Sequence, residues 1–299
     1  MSISAPDVEL QVSPSVAGDE VASLKGEAWR RLRKNRLAVA GLVIIAIMTL
    51  AAIFADVIAT QPTDGFVAAD ARQGPSARHW FGTDQLGRDM FSRVVHGARF
   101  SLIVGFTVVG MILLVGLTVG GIAGYYGGVV DSIMSRLIDV FLAFPYLVGA
   151  LILVTALGKS KFALVIALAA LAWVTIARLF RGSVIAIRNA EFVDAARALG
   201  AGNGRILFRH VFPNAVTPTL VYACALVGSV VISEAALTYL GAGLSEPEAS
   251  WGLMIRNGQS YLTTEPHMVL FPSLGLTLTV LGFVLLGDGL RDSLDPRLR

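Results

Sequence analysis

The sequence predicts an all-α membrane protein with six transmembrane helices, and three observations carry that prediction. Charged residues make up only 15% of the 299-residue chain and apolar residues 55%, whereas soluble domains carry about 25% charge. The mean hydropathy is +0.70. Six stretches free of Asp, Glu, Lys and Arg each approach the ~20 residues that cross a bilayer as a helix.

Taken in order, the stretches are Leu37–Ala55, Phe100–Val130, Val140–Gly158, Phe162–Ala177, Val211–Ser233 and Met268–Gly287, of 19, 31, 19, 16, 23 and 20 residues. The fourth is short and is extended by Leu179 and Phe180 if Arg178 snorkels to the interface. Pro145, Pro218 and Pro272 fall in the third, fifth and sixth spans, where a missing N–H tends to kink a helix. In the second span, Gly116, Gly120, Gly124 and Gly128 recur every four residues and form one smooth helix face. Close helix approach drives association in lipid, so Gly116, Gly120 and Gly124 are helix-packing candidates, within the chain or between subunits.

An even number of spans puts both termini on one side. With the amino terminus inside, sixteen Lys and Arg lie on the cytoplasmic side and eight outside, as the positive-inside rule favours. Residues 1–24 are polar and are expected to be disordered. Residues 25–99 form the basic segment, first helix and long outer loop, and residues 100–299 the transmembrane core. Leu240–His267 is expected as a second long outer loop and Arg178–His210 as a long inner one. Glu234, directly after the fifth stretch, is read as an interfacial glutamate bonded at a helix end, and Asp56 sits similarly after the first.

The inner loop carries the sharpest pattern. In Glu191–Gly200, the residues Phe192, Ala195, Ala196 and Leu199 fall on one stripe, while Glu191, Asp194 and Arg197 face elsewhere. Asn189 is the expected N-cap, the acids occupy the first turn, and Gly200 stands where a helix stops. Arg205–Phe212 reads as a second short helix leading through Pro213 into the fifth span. An alanine-rich stripe with few large anchors suits a cleft on another protein better than a membrane surface.

This loop resembles the EAA signature of binding-protein-dependent ABC importer permeases, in which Glu-Ala-Ala, three residues, Gly and nine residues precede Ile-x-Leu-Pro. Here the corresponding residues are Asp194-Ala195-Ala196, Gly200 and His210-Val211-Phe212-Pro213. Asp replaces Glu, and His and Phe replace Ile and Leu. Arg30–Arg36, His79–Asp89, Asp139–Pro145, Glu234–Gly241, Ser250–Gly252 and Gly287–Arg297 are similar to segments of the dipeptide/oligopeptide/nickel permeases, most closely the second of the two permease subunits. The resemblance implies a cytoplasmic-membrane protein of bacteria, spanning it several times with both termini inside. It also implies a homologous second permease subunit, two cytoplasmic ATPase subunits or domains, and an extracytoplasmic substrate-binding protein. ATP and Mg would bind to the ATPases and no cofactor to this chain. Glu191–Gly200 would be the coupling helix seated in an ATPase groove, with Pro213 closing the signature.

Other chemistries are disfavoured. Gly158-Lys159-Ser160 lacks the earlier glycine of a phosphate-binding loop, because Leu153 occupies that position, and it does not follow a strand. His79, His96, His210 and His267 have no metal-ligand spacing, and single Cys224 excludes a disulfide framework. The bases flank apolar runs rather than forming a soluble basic patch, so nucleic acid is not expected as a partner and membrane lipid is. An ion-driven secondary transporter would need ionisable groups in broken helices, and a membrane enzyme a buried nucleophile or acid–base cluster. Neither is evident in the spans.

Overall fold

A computed structural model describes residues 30–294, and the expected disordered segment 1–24 lies outside them. The principal helices are α1 (Arg36–Ile53), α2 (Met90–Tyr126), α3 (Gly128–Leu142), α4 (Tyr146–Leu157), α5 (Lys161–Arg188), α6 (Glu191–Ala198), α7 (Thr217–Tyr239), α8 (Trp251–Gly258) and α9 (His267–Leu294). No sheet occurs among the described residues; Thr83 and Asp89 make one isolated bridge. Helices α1, α2, α5, α7 and α9 are each long and apolar enough to cross a membrane, and α3 with α4 form a pair bent by 83°. The described residues thus hold five unbroken candidate crossings, and a sixth if this bent pair is one broken span. The uninterrupted third span expected over Val140–Gly158 is corrected: Pro145 has no N–H and no capping side chain, so the helix stops at Leu142 and restarts at Tyr146. Pro218 sits in the first turn of α7, where its missing donor costs nothing, and does not kink it. Pro272 is the proline inside a helix, α9.

The most extensive packing joins α2 to α5. A Cβ on Gly116 would lie 2.5 Å from Ile176 Cγ2, on Gly120 2.3 Å from the Ala177 carbonyl oxygen, and on Gly124 2.8 Å from the Arg181 carbonyl oxygen. These three glycines thus let the backbones of two helices of one chain touch. Gly128, the last of the repeat, opens α3 instead. A second seam, not anticipated from the sequence, joins α1 to α9: a Cβ on Gly41 would meet Gly282 O at 2.7 Å, and one on Gly289 would meet Ala38 Cβ at 2.2 Å. Burial reaches 56% in the apolar window of α7 but 22% in that of α1, so α7 is central and α1 peripheral.

At one end the two long loops make a folded lid. Helix α2 begins at Met90, ten residues before the expected span, and Asp89 caps it by accepting from Ser92 N–H at 2.8 Å. Asp89 also meets His79 Nδ1 at 3.0 Å. Arg88 is buried, bonds Asp84 Oδ2 at 2.6 Å, and forks onto Glu246 with Nη2–Oε1 at 2.9 Å. Arg93 is fully buried and donates to the carbonyls of Thr63, Pro247 and Glu248 at 2.8, 3.2 and 3.0 Å. The Arg88–Asp84 pair is buried on both sides, so removing one partner leaves an unpaired charge at a cost of about 3–5 kcal/mol; Glu246, about a third exposed, is screened by solvent and contributes less. The usual pull of burial on the Glu246 carboxyl is upward, but the Arg88 bond and the nearby Arg93 charge overcome it and hold it below the usual carboxylate range. Trp251 is fully buried, donates its indole N–H to Val94 O at 3.0 Å, and fills the space left by Gly97 and Gly275. Arg99 closes the end of α1, donating to Ala52 O and Ile53 O at 2.7 and 3.0 Å and pairing with Asp56 at 2.9 Å.

Glu234 corrects a sequence expectation. Helix α7 continues to Tyr239, so Glu234 is not at its end; it is fully buried and accepts from Ser101 Oγ at 2.9 Å and Thr238 Oγ1 at 3.0 Å.

Candidate functional site: an exposed helix braced on its own chain

At the end opposite the lid, α6 projects from the long helices. Its start differs from expectation. Asn189 terminates α5, and Ala190, which offers no capping oxygen, occupies the N-cap of α6. Glu191 and Asp194 in the first turn and Arg197 in the last still complement the helix dipole. Arg197 Nη1 reaches Asp194 Oδ1 at 2.5 Å, but both side chains are more than half exposed, so the pair adds little stability.

The stop is fully determined. Gly200 has φ +81°, its N–H donates to Arg197 O at 3.0 Å, and Ala201 N–H donates to Ala196 O at 3.1 Å. This paired closure satisfies carbonyls that a helix end otherwise leaves open. A glycine at positive φ carries no Cβ penalty.

The stripe of α6 faces away from the protein. Phe192 is 46% exposed and Leu199 89%, with Ala195 exposed and Ala196 half-buried. The brace is Val193, which lies off the stripe and is fully buried in a cluster with Phe180 and Val184 of α5 and Ile206, Leu207, Val211 and Ala215 beyond the helix. Sequence periodicity missed Val193, because its partners lie up to twenty-two residues away in chain order. It also missed Phe208, 72% exposed on the same connection.

The segment after Gly200 is not the simple second helix expected over Arg205–Phe212. An α-turn at Asn203–Ile206 passes into a π-helix at Leu207–Val211 and returns to α-helix at Phe212–Ala215. Pro213 has no N–H for Arg209 O and its ring would crowd that carbonyl in a regular helix; the wider π-turns relieve this. Phe212 stacks edge-on with Phe180 at 5.3 Å, and Tyr125 Oη donates to Asn203 Oδ1 at 3.3 Å. Arg188 Nη1 donates to Gly124 O at 2.7 Å. The α2–α5 pair therefore holds the segments on either side of α6, and α6 itself is anchored to α5 through Val193.

The geometry is a short amphipathic helix whose apolar side is uncovered, anchored by Val193 and connecting two membrane-crossing helices. Residues 116–299 match the family described as binding-protein-dependent transport system inner membrane component. The chain belongs to this family of ABC importer permeases. Residues 23–75 match the N-terminal transmembrane domain of oligopeptide transport permease C. The chain is 44% identical to the dipeptide transport system permease protein DppC of Alkalihalophilus pseudofirmus, over 91% of this chain and 90% of that protein. It is 42% identical to the oligopeptide transport system permease protein OppC of Bacillus subtilis, over 93% and 91%. It is 37% identical to the glutathione transport system permease protein GsiD of Pectobacterium atrosepticum, over 97% of each. Among solved structures, an amino acid ABC transporter with histidines shares the fold, with a TM-score of 0.51 and 19% identity over 68% of this chain and 94% of that one. This permease is a membrane transport subunit and not an enzyme; in its family the ATPase activity resides in partner subunits and substrate arrives through binding proteins.

Proposed function

We propose that this permease forms half of the pathway of a peptide importer in the cytoplasmic membrane of a bacterium, and that α6 is its coupling helix. A homologous second permease completes the pathway, two ATPase subunits or domains bind on the α6 side, and a substrate-binding protein docks on the lid. The α6 side is then cytoplasmic, as are both termini, and ATP and Mg belong to the ATPases. Within this scheme residues 1–24 are a cytoplasmic extension, 25–99 an accessory helix with its loop, and 100–299 the core.

The observation that carries the reading is the combination at α6: Phe192 and Leu199 exposed, Val193 buried beneath them, and Gly200 fixing the stop. Leu199 is 89% exposed, and burying it in a groove would stabilise the contact by about 25 cal/mol per Å2 of apolar surface taken out of water. Glu191, Asp194 and Arg197 around it supply polar contacts, Ala195 and Ala196 allow close approach, and Pro213 holds the returning segment. Peptide cargo is inferred from relatives named for dipeptides, oligopeptides and glutathione. ATP closing the ATPase pair would shift the permease only through contacts that differ between its two states, and α6 is where such contacts can be made.

The test is cysteine cross-linking at Leu199→Cys and, as control, at lid residue Trp80→Cys, in native membranes. The expected product at position 199 is an adduct with an ATPase subunit, whose yield changes with ATP. Adducts with a substrate-binding protein or with a second copy of this chain at position 199 would overturn the assignment.

A further inference from the structure

A cavity of about 300 Å3 lies where the bent α3–α4 pair meets α5 and α7. Phe141 and Phe144 reach it from the end of α3 and the break, Tyr146 from the first turn of α4, and Tyr222, Ser229 and Ser233 from α7. The α5 residues that line it run from Leu171 to Thr175, the middle of Lys161–Arg188, and the α7 residues are centred on the middle of Thr217–Tyr239. The cavity therefore lies within the membrane-crossing stretches of α5 and α7, about one helical turn from the exposed Arg178–Asp139 pair. No charged side chain lines it.

Irregular backbone at that depth persists only where protein or a polar cavity covers it, since unpaired peptide groups are costly in hydrocarbon. The regular helix is interrupted from Ala143 to Pro145: Ala143 N–H still reaches Asp139 O at 3.1 Å and Phe144 N–H tightens onto Phe141 O at 3.4 Å, Pro145 has no N–H to offer, and rings and hydroxyls surround the break. Phe141 is held edge-on by Trp173 at 5.3 Å, and Ser233 Oγ donates to Ser229 O at 2.8 Å. Apolar walls with a few placed hydroxyls are the composition of a small-molecule site, and the volume is at the low end of such sites. It suits one side chain and its neighbouring amide, not a whole charged peptide.

We propose that this cavity is a substrate site within the membrane, which takes an uncharged, preferably aromatic, side chain of the peptide in transit. The proposal rests on the peptide-importer reading. The rings contact the side chain, the Ser229 and Tyr222 hydroxyls meet the adjoining amide, and the charged ends of the peptide remain outside the cavity.

The test uses the full complex with its binding protein in proteoliposomes, comparing uptake of Ala-Phe and Ala-Ala. Ser229 is exposed on α7, so Ser229→Leu narrows the cavity without crowding the helix behind it; Tyr222→Ala removes a wall. In both variants the Ala-Phe to Ala-Ala uptake ratio should fall about tenfold, the discrimination typical of an apolar pocket. Basal ATPase activity and peptide affinity of the binding protein should stay unchanged. In the unaltered complex, a dipeptide carrying benzoylphenylalanine should photolabel α7 between Tyr222 and Ser233. Intact uptake with an unchanged ratio, or labelling confined elsewhere on the pathway, would overturn the site alone. A complex that carries no peptide at all would overturn the peptide reading and this site with it.

Discussion

Replacing Gly200 separates backbone conformation from crowding, because a Cβ placed there meets no atom within 4 Å. Within this chain, what opposes Gly200→Ala is then its φ of +81°, and Gly200→Asn, larger but tolerant of that φ, separates this from crowding by a partner. An L residue in left-handed geometry costs about 1–2 kcal/mol, and a β-branched one more. Relaxing that strain breaks the bonds from Gly200 and Ala201 to Arg197 and Ala196 and re-aims Leu199. A penalty of about 1–2 kcal/mol reduces the correctly stopped α6 by a factor of about 5–30. The assay is substrate-stimulated ATPase activity of the reconstituted complex. Gly200→Val should lose most of the stimulation, Gly200→Ala should be intermediate, and Gly200→Asn, which tolerates this geometry, should retain most of it. Membrane insertion should be unaffected in all three. Full stimulation in Gly200→Val, or an Asn variant as impaired as Val, would refute the argument.

Two further outcomes follow from the packing and the lid. Gly120→Ala puts a Cβ 2.3 Å from a backbone oxygen of α5, while Gly110→Ala in the same helix meets nothing within 4 Å; overpacking costs about 1–3 kcal/mol and the helix propensity of alanine returns up to about 1. Gly120→Ala should lower the unfolding midpoint in detergent by a few degrees and Gly110→Ala should not; equal midpoints would remove the seam from the account. For Glu246, a depressed carboxyl pKa means that its stabilisation is complete above the unfolded value of about 4.3 and is lost as pH falls through the lower folded value. Hydrogen-exchange protection of the lid loops should accordingly hold from neutral pH to about 4 and weaken below it. Glu246→Gln should show the weakened protection already at neutral pH, and a lid equally protected in that variant would show that the clasp is dispensable.

Much of the architecture was legible because the bilayer imposes a long, uncharged run on each crossing. The glycine repeat announced the face of α2 that meets α5, although the sequence left open whether its partner was in the same chain. Glu234 was misplaced by the rule that made the runs visible: a charge ended the run, whereas hydroxyls from Ser101 and Thr238 let a carboxyl continue inside it. The lid was invisible because its clasp joins residues 158 positions apart, which no periodicity encodes. At α6 the stripe of Phe192 and Leu199 was readable from spacing. What braces it was not, since Val193 is buried jointly by the preceding α5 and by the segment that returns after Gly200.

Helix α2 is about 55 Å long at 1.5 Å per residue, and its glycine contact with α5 lies far off centre. Taken as a fulcrum, Gly120 leaves an arm of about 45 Å to Met90 and one of about 9 Å to Tyr126. If the helix rocks as a straight rod, a shift of about 1 Å at the short arm, beside the base of α6, becomes about 5 Å at the long arm. The long arm carries the buried arginine of the lid. Unequal leverage of this kind would turn a small push beside α6 into a displacement about five times larger at the lid.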